Sequence, residues 1–199
     1  MSEVYAPGQA MVLTSFFSRP PKWFIVAGPA NADEAQTVKA LFPKCVCLGV
    51  EPSEAMVRWQ LAHGFPGELV PMGLADAAGL REIVIPPKQE NRSSMVRPCG
   101  GGTHKVATTT LDALDLVHGP FERAVLWADI EGMELPMLRG AEECFARGAF
   151  DLVNIEVMPD ERPDDVPEFE AFFKRHGLAL AHEWDWQCSR RNQIWRKVG

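Results

Sequence analysis

Several features that would narrow the reading at once are missing from this chain. No apolar run reaches the ~18 residues that a membrane-spanning helix requires. The segment opening Met1-Ser2-Glu3 has no basic stretch ahead of an apolar one, so no secretory leader is expected. The five cysteines show no framework spacing, and their odd number argues for a reducing compartment; a cytoplasmic location is expected. His63, His104, His118, His176 and His182 lack metal-ligand spacing such as H-E-x-x-H, so no metal site is expected. An excess of positive charge is also missing. With 20 Lys and Arg against 27 Asp and Glu, the net charge of -7 argues against general affinity for nucleic acid or anionic membranes. Arg190, Arg191, Arg196 and Lys197, near Trp186 and Trp195, are the local exception, and they alternate as a solvated edge strand does. There is no G-x-G-x-x-G fingerprint, no internal repeat and no linker to a second domain.

What is present suits one globular domain: 199 residues, 46% hydrophobic and 24% charged, enough to bury a sizeable core. Residues 1–21 carry no strong period and read as a leader that packs on the domain or frays; residues 22–199 read as the domain. Trp23 to Ala27 is a short apolar run stopped by Gly28-Pro29, a strand feeding a turn. Helix formers from Ala32 to Leu41 follow, with Asn31 as a cap. Cys45 to Val50 is a second buried-strand pattern, its two cysteines facing one side as small core residues. Pro52-Ser53-Glu54 opens a helix through Leu61. Glu68–Leu74 and Leu80–Ile85 are strand-like, separated by the turn Asp76 to Gly79. Pro86 to Lys105, with Gly100-Gly101-Gly102, reads as a long irregular loop or lid. A capped helix to about Leu116, a strand ending at Asp129, a helix from Met133 to Arg147, and a strand from Asp151 to Val157 come next. A helix from Asp164 to His176 and a closing antiparallel pair, Leu178–Trp186 and Gln193–Val198, complete the chain. Strands and helices in alternation predict a mostly parallel sheet with helices on both faces.

The most informative stretch is Ala124-Val125-Leu126-Trp127-Ala128-Asp129-Ile130-Glu131-Gly132-Met133-Glu134. A run too short for a buried helix ends abruptly in carboxylates. That is how a strand buried on both faces looks where its carboxyl end opens into a site. Glu134 reads as negative charge at a helix start. Glu51 ends the second strand, where nucleotide-binding α/β domains place an acidic group for ribose hydroxyls. The first turn, Ala27-Gly28-Pro29-Ala30-Asn31-Ala32, is a poor pyrophosphate cradle because Pro29 has no amide to donate. S-adenosylmethionine, which has no phosphates, tolerates that loss. The glycines at 100–102 are not a P-loop, since no G-K-[ST] follows in register. Three clustered carboxylates raise a Mg²⁺ alternative, but a fourth ligand is missing.

The string Trp127 to Glu134, continued by Leu138-Arg139-Gly140-Ala141-Glu142, resembles the D-x-E-G-x-E-x-x-x-L-x-G-A hallmark of FkbM-type S-adenosylmethionine-dependent methyltransferases. Gly49 to Ser53, Gly73 to Asp76 with Gly79, Ser93-Ser94, Thr110-Leu111-Asp112 and Asp151 to Glu156 resemble further family segments in the same order. The resemblance covers about Trp23 to Val157. It implies a Rossmann-like class I methyltransferase fold, an α/β seven-stranded sheet with a reversed last strand, and methyl transfer to a hydroxyl of a small metabolite or sugar. Carried over, Gly28, Ala30 and Asn31 line the methionine part of the cofactor. Glu51, with Pro52 and Ser53, binds ribose; Asp76 meets the adenine edge. Asp129 sits near the sulfonium, and Asp129 or Glu131 is the base. Glu156 and His104 face the substrate. The chain departs from the family at the first turn, where Val26 stands in place of an Asp and Ala32 near a Gly. That departure keeps open a second class, a methyltransferase-fold binding or scaffold module without cofactor. An NAD-type oxidoreductase is disfavoured by the missing glycines.

Overall fold

The computed structural model describes residues 8–29, 33–85, 102–186 and 190–198. In chain order the elements are α1 (Gly8–Ser15), β1 (Trp23–Ala27), α2 (Asp33–Leu41), β2 (Val46–Val50), α3 (Glu54–Ala62), β3 (Glu68–Val70), β4 (Gly73–Leu74), β5 (Gly79–Ile85) and β6 (Gly102–Thr109). Then follow α4 (Leu111–His118), β7 (Ala124–Ala128), α5 (Glu134–Arg139), α6 (Glu142–Ala146), β8 (Phe150–Val157), α7 (Asp165–Arg175), β9 (Leu178–Trp186) and β10 (Arg190–Lys197).

The main sheet has seven strands in the order β3-β2-β1-β7-β8-β10-β9. β10 runs antiparallel to both its neighbours, and the remaining pairings are parallel. The alternation along β7 explains why a continuous apolar run is needed there. Ala124, Leu126 and Ala128 join one core with Ile25, Val153 and the phenylalanines of α6 and α7. Val125 and Trp127 join the opposite core with Leu13, Val26, Ala35 and Val38 of α1, β1 and α2. Helices thus cover both faces, as expected. On the α7 side, the Phe145 and Phe172 rings meet edge to face at 5.0 Å, and Phe173 stacks on Trp195 at 4.7 Å.

Four expectations are corrected. The leader, read as without a period, holds a helix, α1, and of its two alternatives it takes the packed one, with Leu13 fully buried. Glu68–Leu74 is not one strand: β3 belongs to the main sheet, whereas β4 joins a three-stranded sheet, β4-β6-β5. The last part of the expected loop, Gly102 to Lys105, is strand, because Glu82 to Ile85 offers it an antiparallel partner. Residues 86–101, with Ser93, Ser94, Cys99 and Gly100, lie outside the described residues, as do Ala30 and Asn31. The helix read from Met133 to Arg147 is two helices. A Cβ at Gly140 would collide with the Ala75 carbonyl, so the chain breaks there to pack on that backbone. Asp112 restarts it by accepting from the Glu143 and Cys144 amides at 3.1 and 2.9 Å. Two caps occur as read: Ser53 and Thr110 accept from the amides of Met56 and Ala113. Among the described residues no helix is long and apolar enough to cross a membrane.

Candidate active site

The chain runs outward from β1 to β2 and β3, then returns to lay β7 on the other side of β1. The switch point therefore lies between the carboxyl ends of β1 and β7, where open α/β sheets bind ligands. The tips of β7, β1 and β2 are sewn together. The Asp129 amide donates to the Ala27 carbonyl at 3.2 Å, and the Gly28 amide donates to the Val50 carbonyl at 3.0 Å. Gly28 has φ +74°, and a Cβ on it would collide with the Asp129 carbonyl oxygen. Only a glycine lets the first turn cross this close to β7.

Beyond Asp129 the chain passes through two left-handed residues, Glu131 (φ 55°) and Gly132 (φ 99°). Glu134 holds this path. Its carboxylate accepts from the Ile130 amide at 2.8 Å and from the Gly132 amide at 2.9 Å, and Arg162 donates to the Gly132 carbonyl at 2.5 Å. Burial, aided by the charges of Asp129 and Glu131, pushes the Glu134 carboxyl up to about 7 despite the opposing bonds from the Ile130 amide and its own. Glu134 is thus more than helix-start charge: it is the peg around which the Asp129–Met133 loop is wound. Glu134→Ala leaves two amides without their acceptor. A loss of about 2–4 kcal/mol is expected, read as a fall in thermal midpoint of roughly 5–10 °C in scanning calorimetry. An unchanged midpoint would remove the peg role.

Glu156, the seventh residue of β8, is buried on the same face of the sheet as Asp129. Burial and the Asp129 charge push its carboxyl upward, while Arg190 opposes them. The Arg190 guanidinium spans Glu131 (3.1 and 3.4 Å) and Glu156 (both oxygens at 3.3 Å). Arg190, expected on a solvated edge, is instead part-buried between two acids. Because β10 is antiparallel, its first residue lies at the end where the parallel strands finish. The usable signal was a basic residue at the start of a reversed strand. Glu34, in the first turn of α2, was also missed. It is 8% exposed, and its carboxyl is pushed up to about 7, mainly by burial with Asp129 and Asp33 adding.

Glu51 stands at the end of β2, 6% exposed. Its Oε1 accepts from the Ser53 amide at 2.8 Å, and Oε2 has no hydrogen bond to a described residue. Burial pushes its carboxyl up to about 7. Asp76 stands in the turn between β4 and β5, paired with Arg81. His104 is exposed on β6 opposite Ile83, and among the described residues no hydrogen bond joins it to the strand-tip carboxylates. Among the described residues no group of three His, Cys, Asp or Glu side chains is arranged to hold a metal.

The family model described as the methyltransferase FkbM domain matches residues 28–178. The chain belongs to the FkbM methyltransferase family. That match begins at Gly28 and takes in Glu51, Asp129, Glu131, Glu134 and Glu156; Arg190 of this FkbM protein lies beyond it. No curated relative matches the sequence. Among solved structures, the precorrin-6y C5,15-methyltransferase of Geobacter metallireducens is similar over 100% of this chain and 90% of its own, at 8% identity and TM-score 0.54. Fibrillarin, a pre-rRNA processing protein of Methanococcus jannaschii, is similar over 91% and 68%, at 9% identity and TM-score 0.54. A SAM dependent methyltransferase of Aquifex aeolicus is similar over 97% and 90%, at 12% identity and TM-score 0.51. The FkbM chain shares their fold, the class I methyltransferase architecture.

Proposed function

We propose that the protein is an S-adenosylmethionine-dependent methyltransferase acting on a hydroxyl oxygen of a small metabolite or sugar. The observation that carries this reading is the set of strand-tip carboxylates, Glu51, Asp129 and Glu156, around the β1–β7 switch of an FkbM domain. Glu51 fits the cofactor. A nearly buried carboxylate with one oxygen committed to an amide and the other open is an acceptor for a ribose diol. When bound, S-adenosylmethionine supplies an electrophilic methyl group. The protein's own work is then to place the acceptor and take its proton. We assign that proton to Asp129. Glu131 is engaged by Arg190, which makes it a positioning residue. Glu156 and Arg190 together form the polar wall that orients the acceptor.

Calorimetric titration with S-adenosylhomocysteine tests the reading. Micromolar binding is expected, and Glu51→Ala should weaken it by about 10–100-fold, since charge-assisted hydrogen bonds contribute about 1.5–3 kcal/mol each. The sign of the pH dependence follows from Glu51. Below about 7 its carboxyl is protonated in the free protein, so binding must expel a proton. Affinity should fall about tenfold per pH unit on the acid side and level off above neutrality. Glu51→Gln should abolish that slope. A folded protein that takes up no cofactor at any pH would turn the reading to the binding or scaffold class.

A further inference from the structure

We propose a second ligand site at the edge of the sheet opposite the carboxylates, a cleft for an organic anion with an apolar body. β7 and β8 begin at that edge and β10 ends there. A cavity of about 520 Å³ opens between them and the connector that follows α1. Its floor is the sheet itself, with Val125, Leu152 and Arg196 side by side in register across β7, β8 and β10. Phe16 and Phe17 form the opposing wall.

Four cations, Arg19, Arg123, Arg196 and Lys197, line this cleft against one carboxylate, Asp151. That is a concentrated positive field in a chain whose net charge is -7. Two of the four are already committed. Arg19 forks onto Asp151 at 3.0 and 3.2 Å, and Lys197 donates to the Gly148 carbonyl at 3.1 Å. Arg123 and Arg196 form no ion pair with a described carboxylate, and nearby Glu122 is taken by Lys22. Two guanidinia over an apolar floor match a phosphate or carboxylate head on an aromatic or aliphatic body. The volume lies within the roughly 300–1,000 Å³ of small-molecule sites, and the acidic chain as a whole disfavours a polyanion such as nucleic acid. Arg123 is also left-handed at φ 48°; among the described residues, Glu131 of the candidate active site is the other non-glycine in that region. β7 is five residues long, so the two sites lie about 16 Å apart. That is too far for this cleft to hold the methyl acceptor, and its ligand is an effector or an anchor.

The experiment is calorimetric titration of the wild-type protein with phenyl phosphate, benzoate and inorganic phosphate. At least one aromatic anion should bind saturably and more tightly than inorganic phosphate. Which of the two does so identifies the head group. Arg196→Ala and Arg123→Gly should each weaken that binding by about tenfold or more. Glycine relieves the left-handed backbone at 123, so Arg123→Gly stays folded by circular dichroism and keeps its thermal midpoint. The proposal is overturned if neither aromatic anion binds, or if the double variant binds as the wild type does. Inorganic phosphate binding as tightly as phenyl phosphate also overturns it, as does a single-stranded RNA oligomer outcompeting both aromatic anions through the same two arginines.

Discussion

Asp129→Asn should lower turnover by about 10²–10⁴-fold, the range typical of a lost general base, while S-adenosylhomocysteine affinity stays within about threefold on the same physical grounds. The substitution keeps the shape of the side chain and removes its charge. The backbone path stays in place because it is held elsewhere, by the Asp129 amide on the Ala27 carbonyl and by Glu134 on the Ile130 and Gly132 amides. A second signature accompanies the loss of rate. The Asp129 charge raises the carboxyls of Glu34, Glu134 and Glu156, so each should titrate lower in the variant when followed by carboxyl NMR. Equal losses of turnover and cofactor affinity would make Asp129 a binding group and strip it of the base role.

Gly28→Ala should cost about 2–5 kcal/mol of stability, the sum of a left-handed non-glycine residue, about 1–2 kcal/mol, and a steric overlap of about 1–3 kcal/mol. The added methyl meets the Asp129 carbonyl oxygen, which is backbone and cannot rotate away, and would stand 3.1 Å from Ile130 Cγ2. The expected drop in thermal midpoint is roughly 10 °C. Because the obstacle is Asp129 itself, the surviving folded fraction should also show impaired turnover. A variant with unchanged stability and rate would mean that the close crossing of β1 and β7 has no bearing on either.

The parts of this molecule legible in its sequence are those set by neighbours along the chain. The β7 run and its acidic tip, the end of β2 at Glu51, and the caps at Ser53 and Thr110 all follow from local apolar patterning and local hydrogen bonding. What escaped depends on partners distant in sequence. The break at Gly140 exists because Ala75 lies against it, and β6 starts at Gly102 because β5 is there to pair with it. Glu34 reads as ordinary helix-start charge until α2 is packed beside the strand tips. Arg190 reads as a solvated cation until the antiparallel register of β10 carries it to Glu131 and Glu156.

The placement of Arg190 also ties the charge balance of the strand tips to the docking of one strand. β10 slots between β8 and β9, strands made before it, and its first residue carries the countercharge for two acids made earlier still. Until that strand is docked, Glu131 and Glu156 lack the guanidinium that joins them. With β10 undocked, two acids stand at the carboxyl end of the sheet without their shared countercharge, so the charge balance of the candidate site depends on the seating of one reversed strand.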